Sequence, residues 1–337
     1  MNATSSEFVD EEQSQSPQQT ISVIIPIFNE QEVLPELHGR LTSTLSSLLN
    51  ENYELVYVDD GSTDNSFPFL ASLAQKDPHV RIISLSRNFG HQTAISAGMA
   101  YAAGDGVIVM DGDLQDPPEL LPKFINKWKE GFEVVYGIRA HRKENILKRM
   151  AYLFFYRLLH KISYLDIPID SGDFSIMDRS VVAILNNMPE RNRFVRGLRT
   201  WVGFRQIGIV YERDKRFAGT PKYNFTKLLK LAYDGLITFS FYPLQLSTKL
   251  GFLFSFLAML VALIIVFLKI TRGFAPQGWA STVVVILFIS GLQFFILGIF
   301  GEYIGRIFEE SKGRPPFIIK AMMGFGTSKK NNKSLPR

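Results

Sequence analysis

Two aspartates one residue apart open the run Asp111-Gly112-Asp113-Leu114-Gln115-Asp116, directly after the apolar stretch 106–110. Carboxylate oxygens are the ligands that a hard divalent cation such as Mg²⁺ or Mn²⁺ takes, and such a cation keeps positions open for substrate phosphates. Gly112 lets the chain turn tightly between the two acids, and Gln115 offers a further oxygen. An isolated Asp-x-Asp is weak; its place at the end of a strand-like run gives it weight.

Similar polar clusters follow other runs of this kind. Asn29-Glu30 comes after the Ile/Val-rich run Ile21–Ile27, Asp59-Asp60-Gly61-Ser62 after 55–58, and Ser86-Arg87-Asn88 after Val80–Leu85. Between these runs lie the helical stretches 32–49, 66–75 and 91–103. Strands alternating with helices predict an α/β fold with a mostly parallel sheet. In such a sheet ligands bind outside the carboxyl ends of the strands. Any one cluster alone reads as turn and cap chemistry; four on one edge predict a site.

The rest of the chain sets the context. It has 337 residues, 46% apolar and 20% charged, a formal charge of +5 and no cysteine. The lack of cysteine excludes a disulfide framework, a Cys-ligated zinc site, a thiolate nucleophile and an iron–sulfur cluster. Residues 250–268 and 273–301 carry no charge over 19 and 29 positions. About 20 helical residues cross a hydrocarbon core, so two transmembrane helices are expected, about 246–268 and 279–303. A short hinge with Pro276 and Gly278 makes them a hairpin. Residues 1–20 are acidic and Ser/Gln-rich, read as a disordered tail without a signal peptide. Basic residues crowd the chain before the first span and after the second, with only Lys269 and Arg272 between the spans. The positive-inside rule then places both the large domain, 21–243, and the basic tail, 304–337, in the cytoplasm.

Two basic segments precede the spans. Residues 139–161 carry seven Lys or Arg against one acid, with Ile146, Met150, Leu153, Phe154 and Leu158 at helical spacing. This predicts an amphipathic helix, about 143–161, in the membrane interface; a second interfacial element is expected at about 226–242. Residues 191–230 carry eleven Lys or Arg against two acids. Clusters of this kind hold phosphates and anionic lipid heads. Flanking membrane spans argue against nucleic acid as the partner.

Taken in order, VIIPIFNE (23–30), VDDGSTD (58–64), RNFGHQTAISAG (87–98), DGDLQDPPE (111–119), DSGDF (170–174) and AGTPKY (218–223) resemble a family 2 glycosyltransferase. More closely, the chain resembles the polyprenyl-phosphate hexosyltransferases, the bactoprenol glucosyltransferases and dolichol-phosphate mannose synthases, over about 20–320. Pro221 stands where many relatives have Ser or Thr. The resemblance implies a GT-A (Rossmann-like) catalytic domain, an inverting reaction, and transfer of one sugar from a nucleotide donor to a polyprenyl phosphate in a membrane, the bacterial inner membrane being favoured. The favoured pair is UDP-glucose with undecaprenyl phosphate, and GDP-mannose with a dolichyl or related phosphate is the alternative. A membrane-anchored sugar-binding or scaffold protein with a degenerate site is the alternative from another class, and Asp111, Asp113, Gln115 and Asp173 argue against it. A processive polysaccharide synthase would need more spans, or a homo-oligomer, to enclose a channel.

By the same resemblance Asp111, Asp113 and Gln115 approach the metal and the diphosphate. Pro26, Asn29, Glu30 and Asp60, with Asp111, line the nucleotide-sugar pocket. Asp173 is the candidate acid near the acceptor, with Asp170 as runner-up. Arg139, Arg196, Arg216 and Lys222 are the candidates for holding acceptor phosphate or diphosphate.

Overall fold

A computed structural model describes residues 19–49, 52–140, 171–191, 193–213, 242–272 and 278–325. The expected helix at 143–161, most of the 226–242 element, and Asp170, Arg216 and Lys222 lie outside the described residues, as do residues 1–18.

The predicted alternation is present. Strand β1 (Ile21–Ile27), helix α1 (Leu34–Leu49), β2 (Tyr53–Asp59), α2 (Ser66–Lys76), β3 (Val80–Leu85), α3 (His91–Tyr101) and β4 (Gly106–Val109) follow one another. The strands β1, β2 and β3 pair in parallel, and β4 adds in parallel to the other side of β1. The chain thus reverses its direction of winding between β1 and β4, the place where open α/β sheets hold their ligands. Both faces of the central strands are covered, so β1 and β2 are buried along their whole length and read as continuous apolar runs rather than alternating ones. Helix α1 shows the complementary pattern, burying Leu34, Leu37, Leu41 and Leu45 at helical spacing. Helix α3 packs close against β1: a Cβ on Gly98 would sit 2.3 Å from Ile24 Cγ2, so only glycine allows this approach.

After α4 (Leu121–Lys129) and β5 (Val134–Arg139), the sheet is completed in a way the sequence did not announce. Strand β6 (Ser171–Asp178) runs antiparallel between β4 and β5, and β7 (Gln206–Tyr211) pairs in parallel with β5. Helices α5 (Arg179–Asn187) and α6 (Val195–Trp201) connect β6 to β7. Because β6 runs against its neighbours, its first residues, not its last, reach the edge where β4 ends.

Two long helices follow, α7 (Tyr242–Arg272) and α8 (Trp279–Ser311). Within α8, Phe288–Ser311 is long and apolar enough to cross a membrane; in α7 a shorter stretch, Leu246–Val261, is apolar. Large apolar side chains such as Phe252, Phe294 and Ile307 are exposed on them. The chain then returns. Residues 319–323, inside the stretch expected as a basic tail, form strand β8 (Ile319–Met323), antiparallel to β3 at the edge of the sheet. Arg191 fastens the end of α8 to the domain: its guanidinium donates to the carbonyls of Glu309 (2.7 Å) and Arg314 (2.6 Å), and its backbone N–H to Glu310 Oε1 (3.0 Å). The full order is β7-β5-β6-β4-β1-β2-β3-β8.

Candidate active site

The carboxyl ends of β1 to β4 carry the four polar clusters to one edge of the sheet. On the β1–β3 side the loops are knitted to each other. Asn29, held at φ 54°, accepts from Thr63 N–H at 2.8 Å and donates its own N–H to Ser62 Oγ at 3.0 Å. Glu30 N–H donates to Ser66 Oγ at 3.0 Å. Pro26 lies within β1, opposite Val58. Asp60 is buried and spends one oxygen on Phe89 N–H (2.7 Å) and the other on Gly90 N–H (2.9 Å). Burial pushes its carboxyl up, and those two backbone bonds pull against the shift. In this structure Asp60 therefore fixes the loop that leads into α3.

The Asp111–Asp116 loop starts where β4 ends. Leu114, at φ 58°, makes its left-handed step. Gly112 serves a different need from the expected turn: a Cβ there would lie 2.6 Å from Ile27 Cδ1 and 3.1 Å from the Pro26 carbonyl oxygen. Asp113 is buried and accepts from Gln115 N–H at 3.2 Å. Asp116 is fully buried; Tyr211 donates its hydroxyl to Oδ1 at 2.5 Å, Arg213 Nε stands 3.4 Å from the same oxygen, and Oδ2 has no hydrogen-bond partner among the described residues.

Across the β4–β6 pair, Ser175 is in register with Val109. That pairing brings Asp173 to face Asp111, and His91 bridges them, its Nε2 3.4 Å from Asp111 Oδ1 and 3.5 Å from Asp173 Oδ2. Arg213 Nη2 lies 3.3 Å from Asp111 Oδ2, and Arg196 Nη2 lies 3.6 Å from Asp173 Oδ2. Arg139, at the end of β5, lies against Gly172: a Cβ there would be 3.0 Å from its Nη2. Fully buried Arg199 donates to the Gly172 carbonyl at 3.3 Å.

This crowding shifts the titrations. Burial raises Asp111 to about 6; the nearby acids Asp116, Asp173 and Asp113 add to the rise, while His91 opposes it. Burial disfavours the charged form of His91, but Asp173 and Asp111 outweigh it and raise the imidazole to about 9. Burial works against ionised Asp173 too, yet Arg196 and His91 hold it well below the usual carboxylate range. Burial lowers Arg199 to about 10.

Of the residues expected from sequence, the structure gathers Asp111, Asp113, Gln115, Asp173, Arg139 and Arg196 on this edge, next to Pro26, Asn29, Glu30 and Asp60. It adds His91, Gln92, Asp116, Arg199, Tyr211 and Arg213. Three of these sat within quoted motifs, RNFGHQ and DGDLQD, without a role. Arg199 and Arg213 lie in the basic segment 191–230 without an individual role; Tyr211 carries no local signal, and the β5–β7 pairing brings it in. Among the described residues no group of three or more His, Asp or Glu stands ready to hold a metal ion by itself.

Residues 22–185 match the family described as glycosyl transferase family 2. The chain is 47% identical over 304 residues to the uncharacterized glycosyltransferase YkcC of Bacillus subtilis (strain 168), covering 90% of this chain and 94% of that one. It is 39% identical over 301 residues to the prophage bactoprenol glucosyl transferase homolog of Escherichia coli (strain K12), and likewise to the bactoprenol glucosyl transferase of Shigella phage SfV. In each case this covers 89% of this chain and 98% of the relative.

Proposed function

The chain belongs to glycosyltransferase family 2, and from that premise we propose that it moves a single hexose from a nucleotide sugar to a polyprenyl phosphate, with glucose from UDP-glucose as the favoured donor. The observation that carries the reading is the juxtaposition of two unlike chemistries on one edge. Asp111 and Asp113 follow the end of β4, and opposite Asp111 stands Asp173, with Arg196 beside it and Arg139 and Arg199 against the neighbouring Gly172. An acidic wall suits a cation-bridged diphosphate; a basic wall suits a phosphate acceptor. The relatives named bactoprenol glucosyl transferase support the lipid acceptor.

The residues fit a divalent cation by their donor type. They are hard oxygens, Asp113 is buried, and Asp116 Oδ2 lacks a hydrogen-bond partner among the described residues. Mg²⁺ or Mn²⁺ is commonly held by one or two carboxylates plus substrate phosphates, which suits an edge where the described residues offer no group of three. Asp111 and Asp113 would hold it, with Gln115 beside them, and when bound it stabilises the charge on a departing diphosphate.

The chain's own residues do the rest. A phosphate acceptor has its second ionisation near pH ~6, so it arrives largely as a nucleophile and chiefly needs to be placed. Arg196 and Arg139 hold it. Asp173 keeps Oδ2 toward Arg196, His91 and Gln92 and leaves Oδ1 buried without a hydrogen-bond partner among the described residues. That oxygen orients a sugar hydroxyl; a carboxylate held this far down by Arg196 and His91 is too weak a base to take the acceptor's last proton. One in-line displacement at the anomeric carbon inverts its configuration. Asn29, Glu30, Pro26 and Asp60 frame the nucleoside side.

In this reading α7 and α8 form a transmembrane hairpin with the domain on the cytoplasmic side. Support comes from Arg191 and β8, which return the far end of α8 to the same sheet that precedes α7. The test is a donor screen with purified full-length protein and short polyprenyl phosphates, with Mg²⁺ or Mn²⁺ and then with EDTA. UDP-glucose should give the highest transfer and EDTA should remove it. No transfer from any nucleotide sugar would overturn the proposal.

A further inference from the structure

Gln92 stands in the middle of the site and belongs to neither wall. It is the second residue of α3, and its backbone is fixed from below: Asp60 grips Phe89 N–H and Gly90 N–H, and Gly98 seats the helix against Ile24. From this fixed point both ends of the side-chain amide are used. Nε2 donates to Asp173 Oδ2 at 3.0 Å, and Oε1 accepts from Val195 N–H at 2.8 Å. A carboxylate can only accept and a backbone N–H can only donate, so one amide orientation alone serves both.

Each end of that bridge matters for a different reason. Val195 is the first residue of α6, and the preceding residue, Phe194, gives α6 no side-chain cap. Helix starts leave N–H groups without intrahelical partners; here a side chain from another helix satisfies one. The same helix carries Arg196 and Arg199, which reach Asp173 and the Gly172 carbonyl. At the other end, the bond to Oδ2 sets the Asp173 carboxylate so that Oδ1 is the oxygen left over.

We propose that Gln92 is a positioning residue that locks the acidic group and the phosphate-holding arginine into one geometry, tying Asp173 on β6 and the start of α6 to the rigid β1–β3 half of the domain. This rests on the acceptor-side reading of Asp173 and Arg196 given above. Gln92 touches no reacting atom in this scheme and acts through those two residues.

Two substitutions separate its two bonds. Gln92→Glu keeps an acceptor for Val195 N–H and puts a carboxylate against Asp173. Gln92→Met is close in shape and loses both bonds. With full-length protein, hydrogen–deuterium exchange over 194–201 should rise in Gln92→Met and stay near wild type in Gln92→Glu. In transfer assays kcat should fall about 10-fold or more in both, since small misplacements near the reacting centre are costly, while acceptor KM should rise only in Gln92→Met. In an Asp173→Ala background the kcat effect of Gln92→Met should vanish, because residues acting as a unit are not additive. Unchanged exchange over 194–201 in Gln92→Met, or the same kcat loss with and without Asp173, would overturn the proposal. The exchange experiment needs no substrate, so it judges the bridge even if the donor screen finds no transfer and the functional reading itself fails.

Discussion

The two halves of the site edge are built by opposite rules. At the ends of β1 to β3 the loop groups answer one another: Asn29 with Thr63 and Ser62, Asp59 with Ser62 and Ser84, Asp60 with Phe89 and Gly90. At the ends of β4 to β7 buried groups are left over: Asp116 Oδ2, Asp173 Oδ1, Arg139 Nε, Arg196 Nε and Arg199 Nη2 lack hydrogen-bond partners among the described residues. An unpaired buried polar group is costly, and such costs concentrate where a ligand completes the set. The first half is a finished scaffold. In the proposed reading the second is a socket whose charges and spare lone pairs a ligand would complete.

That contrast can be broken by mutation, starting in the socket. Asp113→Ala should reduce transfer by at least about 100-fold, the scale on which lost electrostatic stabilisation is felt, while the protein still folds and inserts into membranes; near-normal rates would remove Asp113 from the chemistry. Asp173→Asn keeps the shape but removes the charge that orders Arg196 and His91, and kcat should drop by roughly 10- to 100-fold, while wild type and variant alike speed up as pH rises through the second ionisation of the acceptor phosphate. A flat pH profile would leave the acceptor's ionisation without a part. Arg196→Ala or Arg139→Ala should raise acceptor KM by about 10-fold, the loss of one charge-assisted contact, with donor KM little altered; a change confined to donor KM would place these arginines on the wrong wall.

Substitutions in the scaffold should be read by stability first. Asp60→Ala leaves the N–H groups of Phe89 and Gly90 unanswered and should cost about 1–3 kcal/mol, seen as a lower melting temperature. Gly98→Ala forces a methyl against Ile24 and should cost a similar ~1–3 kcal/mol through overpacking. If either left the melting temperature untouched, the description of this half as a tightly closed scaffold would fail.

The same division explains what could be read from the chain alone. Each of β1 to β4 is a short apolar run ending in a polar cluster, so its existence, direction and active end are local facts. Strand β6 begins Ser171-Gly172-Asp173, with no apolar run to announce it, and its antiparallel place beside β4 depends on residues distant in sequence. Asp173 was legible as a candidate, but not that it faces Asp111. Tyr211 and Arg213 reach Asp116 only because β7 pairs with β5, about 70 residues away in sequence. Strand β8 was hidden for a different reason: its basic setting after two long apolar stretches reads as tail, while Phe317 and Met323 pack into the domain. Gly112 reads from the sequence as a flexible turn, whereas its use is close approach to Pro26.

The central claim is that the basic wall receives a phosphate. It is tested most directly by offering polyprenol, polyprenyl phosphate and a free oligosaccharide side by side to the full-length protein with one labelled nucleotide sugar. The account predicts a single sugar on the polyprenyl phosphate, with inverted anomeric configuration, and no transfer to polyprenol. Equal transfer to polyprenol, or growth of a long glycan on the oligosaccharide, would contradict it.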